Sequence, residues 1–181
     1  FDMNKAELFR GPVIIGGVGG SGTRVIAEIV ARFGYYLGDD LNSASDNLTY
    51  TLLFKRPAWF RKNYPVSRQF STGFNILQKT LVTGKRFTIR EKWFLRKAVN
   101  EMSKHGHNRE GQGSGDWPRQ RIEIIAKRRP LDNAKYCGWG WKEPNSHLAL
   151  EAIQQHFTDF KYIHTIRHGL DMAYSSNQQQ L

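Results

Sequence analysis

The sequence predicts an α/β protein with three layers (α/β/α) built around a mostly parallel sheet. Residues 13–15 form a short β-branched run that stops at two glycines, and from Thr23 the apolar residues recur at helical spacing. Residues 136–141 and 161–166 are also rich in aromatic or β-branched side chains, and each is followed by a segment with helical spacing. Strands that alternate with helices form parallel sheets, which bind ligands at the carboxyl ends of their strands.

The loop between the first predicted strand and the first predicted helix is rich in glycine. Glycines stand at positions 16, 17, 19, 20 and 22. Because glycine has no Cβ, the amides of such a loop are open to a ligand, and the positive end of the following helix favours an anion. The loop therefore predicts an anion site, most often one for phosphate.

Two nucleotide-binding patterns compete at this loop. A Walker A loop ends in Gly-Lys-Ser/Thr, but Thr23 and Arg24 follow the last glycine here, which disfavours an NTPase or a P-loop nucleotide kinase. Residues 17–22 also satisfy the pattern GxGxxG, and Asp39 and Asp40 lie where a dinucleotide-binding fold places its ribose-binding acid. A dinucleotide-dependent oxidoreductase therefore stays open at this point.

A second block lies near the end of the sequence. Arg167 follows the predicted strand at 161–166, and Ser175 lies eight residues further on, at the end of the run Asp-Met-Ala-Tyr-Ser. The glycine loop and this block together resemble the two donor-binding motifs of the sulfotransferases that use 3′-phosphoadenosine 5′-phosphosulfate (PAPS). The resemblance is to the bacterial, carbohydrate or tyrosylprotein branches of that family, and it implies a P-loop-like version of the predicted fold.

The resemblance implies a reaction and a set of donor-binding residues. The reaction would transfer a sulfuryl group from PAPS to an acceptor hydroxyl or amine, release 3′-phosphoadenosine 5′-phosphate (PAP) and need no metal. The loop would hold the 5′-phosphosulfate, and Arg167 and Ser175 would hold the 3′-phosphate. The loop residues so implied are Gly19, Gly20, Ser21, Gly22, Thr23 and Arg24. Family members usually continue with another basic loop, which implies further chain after Leu181.

Three residues are candidates for catalysis. A predicted second strand after the first helix delivers acidic side chains to the same sheet edge, where the family often places a base, so Asp40 is the predicted base and Asp46 the reserve. Both residues also suit helix caps and turns, which is the structural alternative. Lys142 ends the aromatic strand in a Lys-x-Pro motif that some branches place near the transferred group. Related enzymes commonly carry a cation where this chain has Gly20, so we expect Lys142, or failing that Arg24, to supply the charge; the alternative is a protein that binds the donor without turning it over.

The basic residues are concentrated in the middle of the chain. The protein has 181 residues, a net charge of +11 and a single cysteine, which excludes an internal disulfide. Residues 55–129 hold 19 of its 27 Lys and Arg but only 5 of its 16 Asp and Glu. We predict one domain over 1–181 with a basic helical insertion at 44–135, in which 70–81 and 87–99 form helices.

The basic insertion also predicts the kind of partner. Its surface suits a polyanionic acceptor such as an anionic polysaccharide; the alternatives are a solvated face, a membrane face and a non-enzymatic nucleic-acid-binding module. No specific nucleic-acid partner is predicted. No apolar run approaches the roughly 20 residues that span a bilayer, so we expect a soluble, cytoplasmic protein.

Overall fold

The computed structural model describes residues 11–65, 67–106 and 115–174. Its strands are β1 (Val13–Gly17), β2 (Tyr35–Tyr36), β3 (Gly138–Lys142) and β4 (Lys161–Thr165). Its α-helices are α1 (Thr23–Arg32), α2 (Leu48–Phe54), α3 (Pro57–Asn63), α4 (Arg68–Leu81), α5 (Ile89–His105), α6 (Trp117–Ala126), α7 (Leu150–His156) and α8 (Gly169–Ala173), and a 3₁₀ helix spans Pro144–Ala149. These elements fall into two compact units: the sheet unit, formed by the described residues up to Asp46 and from Asp132, and the helical unit, Asn47–Leu131.

The strands of the sheet unit are all parallel in the part of the chain that is described. They lie in the order β2-β3-β1-β4, so β1 is a central strand, and every residue of β1 is buried. Ile15 of β1 lies opposite Lys142 of β3, and Gly17 of β1 lies opposite Thr165 of β4. The predicted parallel sheet is confirmed, and the carboxyl ends of the four described strands lie at one edge.

Helices cover both faces of the sheet. Val13 and Ile15 point to one face and pack with Ala27 and Val30 of α1. Because side chains alternate along a strand, Trp139 and Trp141 of β3 point to the other face. There they pack against Phe157, which follows α7, with ring centroids 5.9 and 6.0 Å away. The predicted α/β/α layering is therefore confirmed.

The apolar residues at 25, 26, 29, 30 and 33 recur at the spacing of one helix face, but α1 packs only 26 and 30 of this set against the core of the sheet unit. Positions 23, 27 and 30 are buried, whereas Val25, Ile29 and Phe33 are 55%, 44% and 74% exposed. Residues two positions apart on a helix point in nearly opposite directions, so both sets cannot face the core. The small side chain of Ala27 lets the helix lie close to β1, and the larger apolar side chains are left as an exposed stripe.

The helical unit has an aromatic core. Phe54 of α2 packs against Phe70 and Phe74 of α4, with ring centroids 5.8 and 4.7 Å away. Gly73 permits this contact, because a Cβ there would lie 2.8 Å from the Phe54 ring. The helices predicted at 70–81 and 87–99 correspond to α4 and α5. Among the residues that the structure describes, no helix is long and apolar enough to cross a membrane.

Helix α5 begins at a capping box. The Thr88 side chain accepts a hydrogen bond from the backbone of Glu91, and the Glu91 carboxylate accepts one from the backbone of Thr88. Lys79 of α4 donates to both carboxylate oxygens of Glu91 at 2.8 Å. One buried carboxylate therefore fixes the start of α5 and ties it to α4.

Candidate functional site

The glycine loop leaves β1 at Gly17 and enters α1 at Thr23. Gly17, Gly20 and Gly22 have φ angles of 146°, 81° and 90°, which side-chain-bearing residues rarely adopt. A Cβ added to Gly20 or Gly22 would meet no atom within 4 Å, so the space above the loop backbone is open. A ligand can therefore approach the loop amides closely, as the sequence predicts for an anion site.

Several buried hydroxyl groups have no hydrogen-bond partner among the described residues, and two of them belong to residues that contact Gly17. They are Ser21 Oγ, in the loop, and Thr165 Oγ1, at the end of β4. A Cβ on Gly17 would overlap the carbonyl oxygen of Thr165 and lie 3.1 Å from Ser21 Oγ, so only glycine fits between these residues. An unpaired buried hydroxyl destabilises a protein by about 1–3 kcal/mol, and the oxygen of a bound anion would accept the missing hydrogen bond.

Arg167 joins the second sequence block to the glycine loop. Its Nη1 donates a hydrogen bond to the carbonyl oxygen of Gly20 at 3.3 Å, across 147 positions of sequence. Arg167 is exposed, so other N–H groups of its guanidinium face solvent. Ser175, the second residue predicted to hold the 3′-phosphate, lies outside the described residues.

Lys142 forms a buried ion pair with Asp46. The side chain of Lys142 is 2% exposed and that of Asp46 is 18% exposed. The Lys142 ammonium also donates to the carbonyl oxygen of Ala44 at 2.9 Å. These two contacts leave one N–H of the ammonium, which has no partner among the residues that the structure describes. Lys142 thus lies beside the end of β1, as predicted, with its charge directed at Asp46.

The loop before Asp46 holds its carboxylate in place. Asn42 Oδ1 accepts hydrogen bonds from the backbone of Ala44 and Asp46 at 2.9 and 2.8 Å, while Asn42 Nδ2 donates to Asp46 Oδ2 at 3.0 Å. Each carboxylate oxygen of Asp46 therefore receives one side-chain donor, and a carboxylate oxygen can accept a second. The sequence placed Asn42 near the acids but gave no signal of this orienting role.

The other candidate residues have different surroundings. Asp39 accepts a hydrogen bond from the Tyr36 hydroxyl, and burial together with this bond holds the pKa of Tyr36 well above its usual value. Asp40 is half-buried and is not the partner of Lys142. Arg24 lies 4.0 Å from Glu28 on the surface of α1, with 62% of its side chain exposed. Asp46 is thus the acid that the fold pairs with the predicted cation.

The site combines an open glycine loop with a cation and a fixed carboxylate at one edge of a parallel sheet. Such an arrangement can bind a phosphorylated ligand and accept a proton from a second molecule. No group of three or more side chains suited to a metal ion is found within residues 11–65, 67–106 and 115–174. Comparison of the chain with family models, curated proteins and solved structures found no match.

Proposed function

We propose that this protein is a PAPS-dependent sulfotransferase that moves a sulfuryl group to an acceptor hydroxyl or amine. The observation that carries the proposal is the hydrogen bond between Arg167 and the Gly20 carbonyl. The two blocks that resemble the donor-binding motifs of the family are far apart in sequence, and this contact brings them into one site. The partnerless hydroxyl of Ser21 supports the proposal, because it offers a donor to the 5′-phosphosulfate.

The donor would lie along the glycine loop. The loop amides, Ser21, Thr23 and Arg24 would hold the 5′-phosphosulfate, and the positive end of α1 would stabilise its charge. Arg167 and Ser175 would hold the 3′-phosphate. Thr165 adds a hydroxyl that the sequence alone did not indicate, at the strand end opposite Gly17.

Transfer would proceed in a single displacement. Asp46 takes the proton of the acceptor group while the acceptor oxygen or nitrogen forms a bond to sulfur. The bond between sulfur and the bridging oxygen breaks, and its electron pair leaves with PAP. The remaining N–H of Lys142 stabilises charge on that bridging oxygen, which builds up only in the transition state. Asp40 is the alternative base.

The order of the strands favours this proposal over a dinucleotide-dependent oxidoreductase. In the classic dinucleotide-binding fold, the strand that carries the ribose-binding acid lies next to the strand of the glycine loop. Here β3 lies between β1 and β2. Asp39 and Asp40, which follow β2, therefore lie one strand spacing, about 4.8 Å, further from β1 than this fold requires.

We propose an anionic polysaccharide as the acceptor. The middle of the chain carries an excess of Lys and Arg over Asp and Glu, and a basic surface attracts polyanions and raises their local concentration. A sulfated or carboxylated sugar chain offers both the negative charge and the hydroxyl groups that the reaction needs. Turnover of such an acceptor should fall steeply as salt is added, whereas PAP binding should fall less.

A panel of nucleotides tests the proposed donor. Thermal-shift and calorimetric titrations would compare PAPS, PAP, ATP, NAD and FAD. At a hundred times its dissociation constant a ligand stabilises a protein by about 2.7 kcal/mol, which should raise Tm by about 5–10 °C for PAP and PAPS. Arg167→Ala should abolish measurable PAP affinity but affect adenosine 5′-phosphosulfate, which lacks the 3′-phosphate, much less.

The control for Arg167→Ala is Arg32→Ala, which removes an exposed arginine at the end of α1. It should leave the affinity for PAP unchanged. Binding of NAD or FAD without binding of PAP would contradict the proposed donor. Equal losses of PAP and adenosine 5′-phosphosulfate in Arg167→Ala would contradict the role given to that arginine.

A further inference from the structure

The helical unit contains a cavity that the proposed reaction does not use. It lies between α5 and α6 and has a volume of about 620 Å³. Drug-sized ligands occupy pockets of about 300–1,000 Å³ that are mostly apolar and carry a few polar groups. The cavity fits both parts of this description: its apolar wall includes Leu95, Val99, Ile122 and Ile125, and polar side chains stand among them.

The polar part of the lining is strongly cationic. Among the described residues of the lining, the cations are Lys92, Arg96, Arg119 and Arg128, and the acid is Glu123. The side chains of Lys92 and Arg96 have no ion-pair or hydrogen-bond partner in the part of the chain that the structure describes. A ligand that enters this cavity therefore meets apolar surface and uncompensated positive charge together.

Arg128 is held in place by neutral groups. Its guanidinium stacks 3.8 Å from the centre of the Phe87 ring and donates hydrogen bonds to the carbonyl oxygens of Lys85 and Ile125 at 2.9 and 3.3 Å. None of these partners is a carboxylate, and the guanidinium keeps further N–H groups for another acceptor. An arginine that is oriented in advance and keeps its full charge suits an anionic head group.

We propose that this cavity binds a single-chain anionic amphiphile, such as a fatty acid. The apolar wall around Leu95 and Ile125 takes the hydrocarbon chain, and Arg96 and Arg128 take the anionic group. The charge of the ligand follows from charge complementarity. A neutral amphiphile would leave the cations of the lining without a partner, and a cationic amphiphile would be repelled by them. No described lining residue belongs to the glycine loop, and the proposal does not depend on the proposed transfer reaction.

Calorimetry on the whole chain tests the proposal with dodecanoate below its micelle concentration. We expect dodecanoate to bind with a stoichiometry of one and at least about tenfold more tightly than dodecyltrimethylammonium, because one charge-assisted hydrogen bond has an effect of this size. The two ions have alkyl chains of nearly the same length and carry head groups of opposite charge. Equal affinities would overturn the proposal.

Substitutions locate the site. Ala126→Trp, which fills the cavity from an exposed position on α6, should abolish dodecanoate binding. Arg96→Gln and Arg128→Gln should each weaken binding about tenfold, again by loss of one charge-assisted contact. Arg90→Gln, which removes an exposed cation of α5 outside the lining, is the matched control and should bind as the parent does. Full binding by Ala126→Trp would overturn the site.

Two further measurements distinguish binding in the cavity from unfolding and from docking to a membrane. Arg128 also holds the Lys85 carbonyl, so unfolding of Arg128→Gln is checked by circular dichroism, and Arg96→Gln, at an exposed position, then tests the head-group contact alone. Vesicles of phosphatidylglycerol are compared with monomeric dodecanoate. Binding to vesicles without binding of the monomer would overturn the cavity proposal and indicate a membrane-docking surface instead.

Discussion

Lys142 is a buried cation whose position depends on one carboxylate, Asp46. Removal of one partner from a buried ion pair destabilises a protein by about 3–5 kcal/mol, because the other charge is left without compensation. We expect Lys142→Met to lower kcat by about 10²–10³, the effect of losing one electrostatic stabiliser, and to change PAP affinity far less. Single-turnover rates and PAP calorimetry below the lowered Tm measure both effects.

The control for this substitution is Lys161→Met, which removes a lysine of β4 that is 78% exposed. It should leave rate and stability unchanged. Adding Asp46→Asn to Lys142→Met should recover part of the lost stability, since the unpaired carboxylate is removed as well. If Lys142→Met instead loses PAP binding and keeps its turnover at saturating donor, Lys142 is a binding residue and Arg24 is the next candidate for the cation.

The choice between Asp46 and Asp40 as base is a second prediction at the scale of single residues. Removal of a general base lowers turnover by about 10²–10⁴, and the amide of asparagine keeps the size of the side chain while losing its basicity. We expect Asp46→Asn to show this loss with PAP binding retained, and Asp40→Asn to lose much less. The reverse ranking would assign the base to Asp40, and two unchanged rates would move it to Asp39.

At the scale of elements, the glycine loop makes it possible to test whether a loop cation is needed. A Cβ at Gly20 would meet nothing within 4 Å, although its φ of 81° strains any other residue by about 1–2 kcal/mol. Gly20→Ala and Gly20→Lys share this strain, so their difference isolates the charge. We expect Gly20→Lys to turn over about tenfold faster than Gly20→Ala, equivalent to about 1.4 kcal/mol at the transition state. Equal rates would show that the loop works without a cation.

The start of α5 gives a prediction about pH. Burial by itself would raise the pKa of Glu91, but hydrogen bonds from Lys79 and Thr88 outweigh it and hold the pKa below the usual value. Because the pKa is lower in the folded state, the stabilisation is complete above the unfolded-state pKa of about 4.3 and is lost as pH falls through the folded-state value. Glu91→Gln should therefore lower Tm at pH 7, by an amount equivalent to about 1–3 kcal/mol, and lower it much less below that value.

Thermal unfolding of parent and variant at several pH values measures this difference. Glu123→Gln serves as the control, since that carboxylate of α6 is exposed and its removal should leave Tm unchanged throughout. If Glu91→Gln lowers Tm as much at pH 3 as at pH 7, the ion pair is not the cause of the loss. Such a result would indicate a packing effect.

Across the molecule, the sequence predicted the secondary-structure elements better than it predicted which face of a helix is buried. The strands and the glycine loop were predictable because each is defined by a pattern within a few consecutive residues. The buried face of α1 was not predictable, because Ile29 and Phe33 are as apolar as the residues of a core. Only the close approach of β1 to Ala27 decides which side of the helix is covered.

The candidate site was also predictable only in part. Sequence spacing brought Asp40, Asp46 and Lys142 to one sheet edge, but no local pattern indicates which acid meets the lysine, because 96 positions separate Asp46 from Lys142. The hydroxyl of Thr165 becomes visible as a candidate only when the pairing of β4 with β1 places it opposite Gly17. Contacts made between distant segments were the part of the site that the sequence could not supply.

The pairing of β3 with β1 has a consequence for how the chain selects its fold. Glycines at 138 and 140 give β3 few side chains on the α1 face. A slip of one residue would exchange the faces, so that Lys142 would turn away from α1 and the tryptophans would turn towards it. The ion pair between Lys142 and Asp46 would be lost in that misaligned register, so the ion pair also favours the native alignment of β3 with β1. A chain carrying both Lys142→Leu and Asp46→Leu should show several sets of amide resonances for β3, whereas a single sharp set would mean that glycine 140, which fits closely against Val13, aligns the strands unaided.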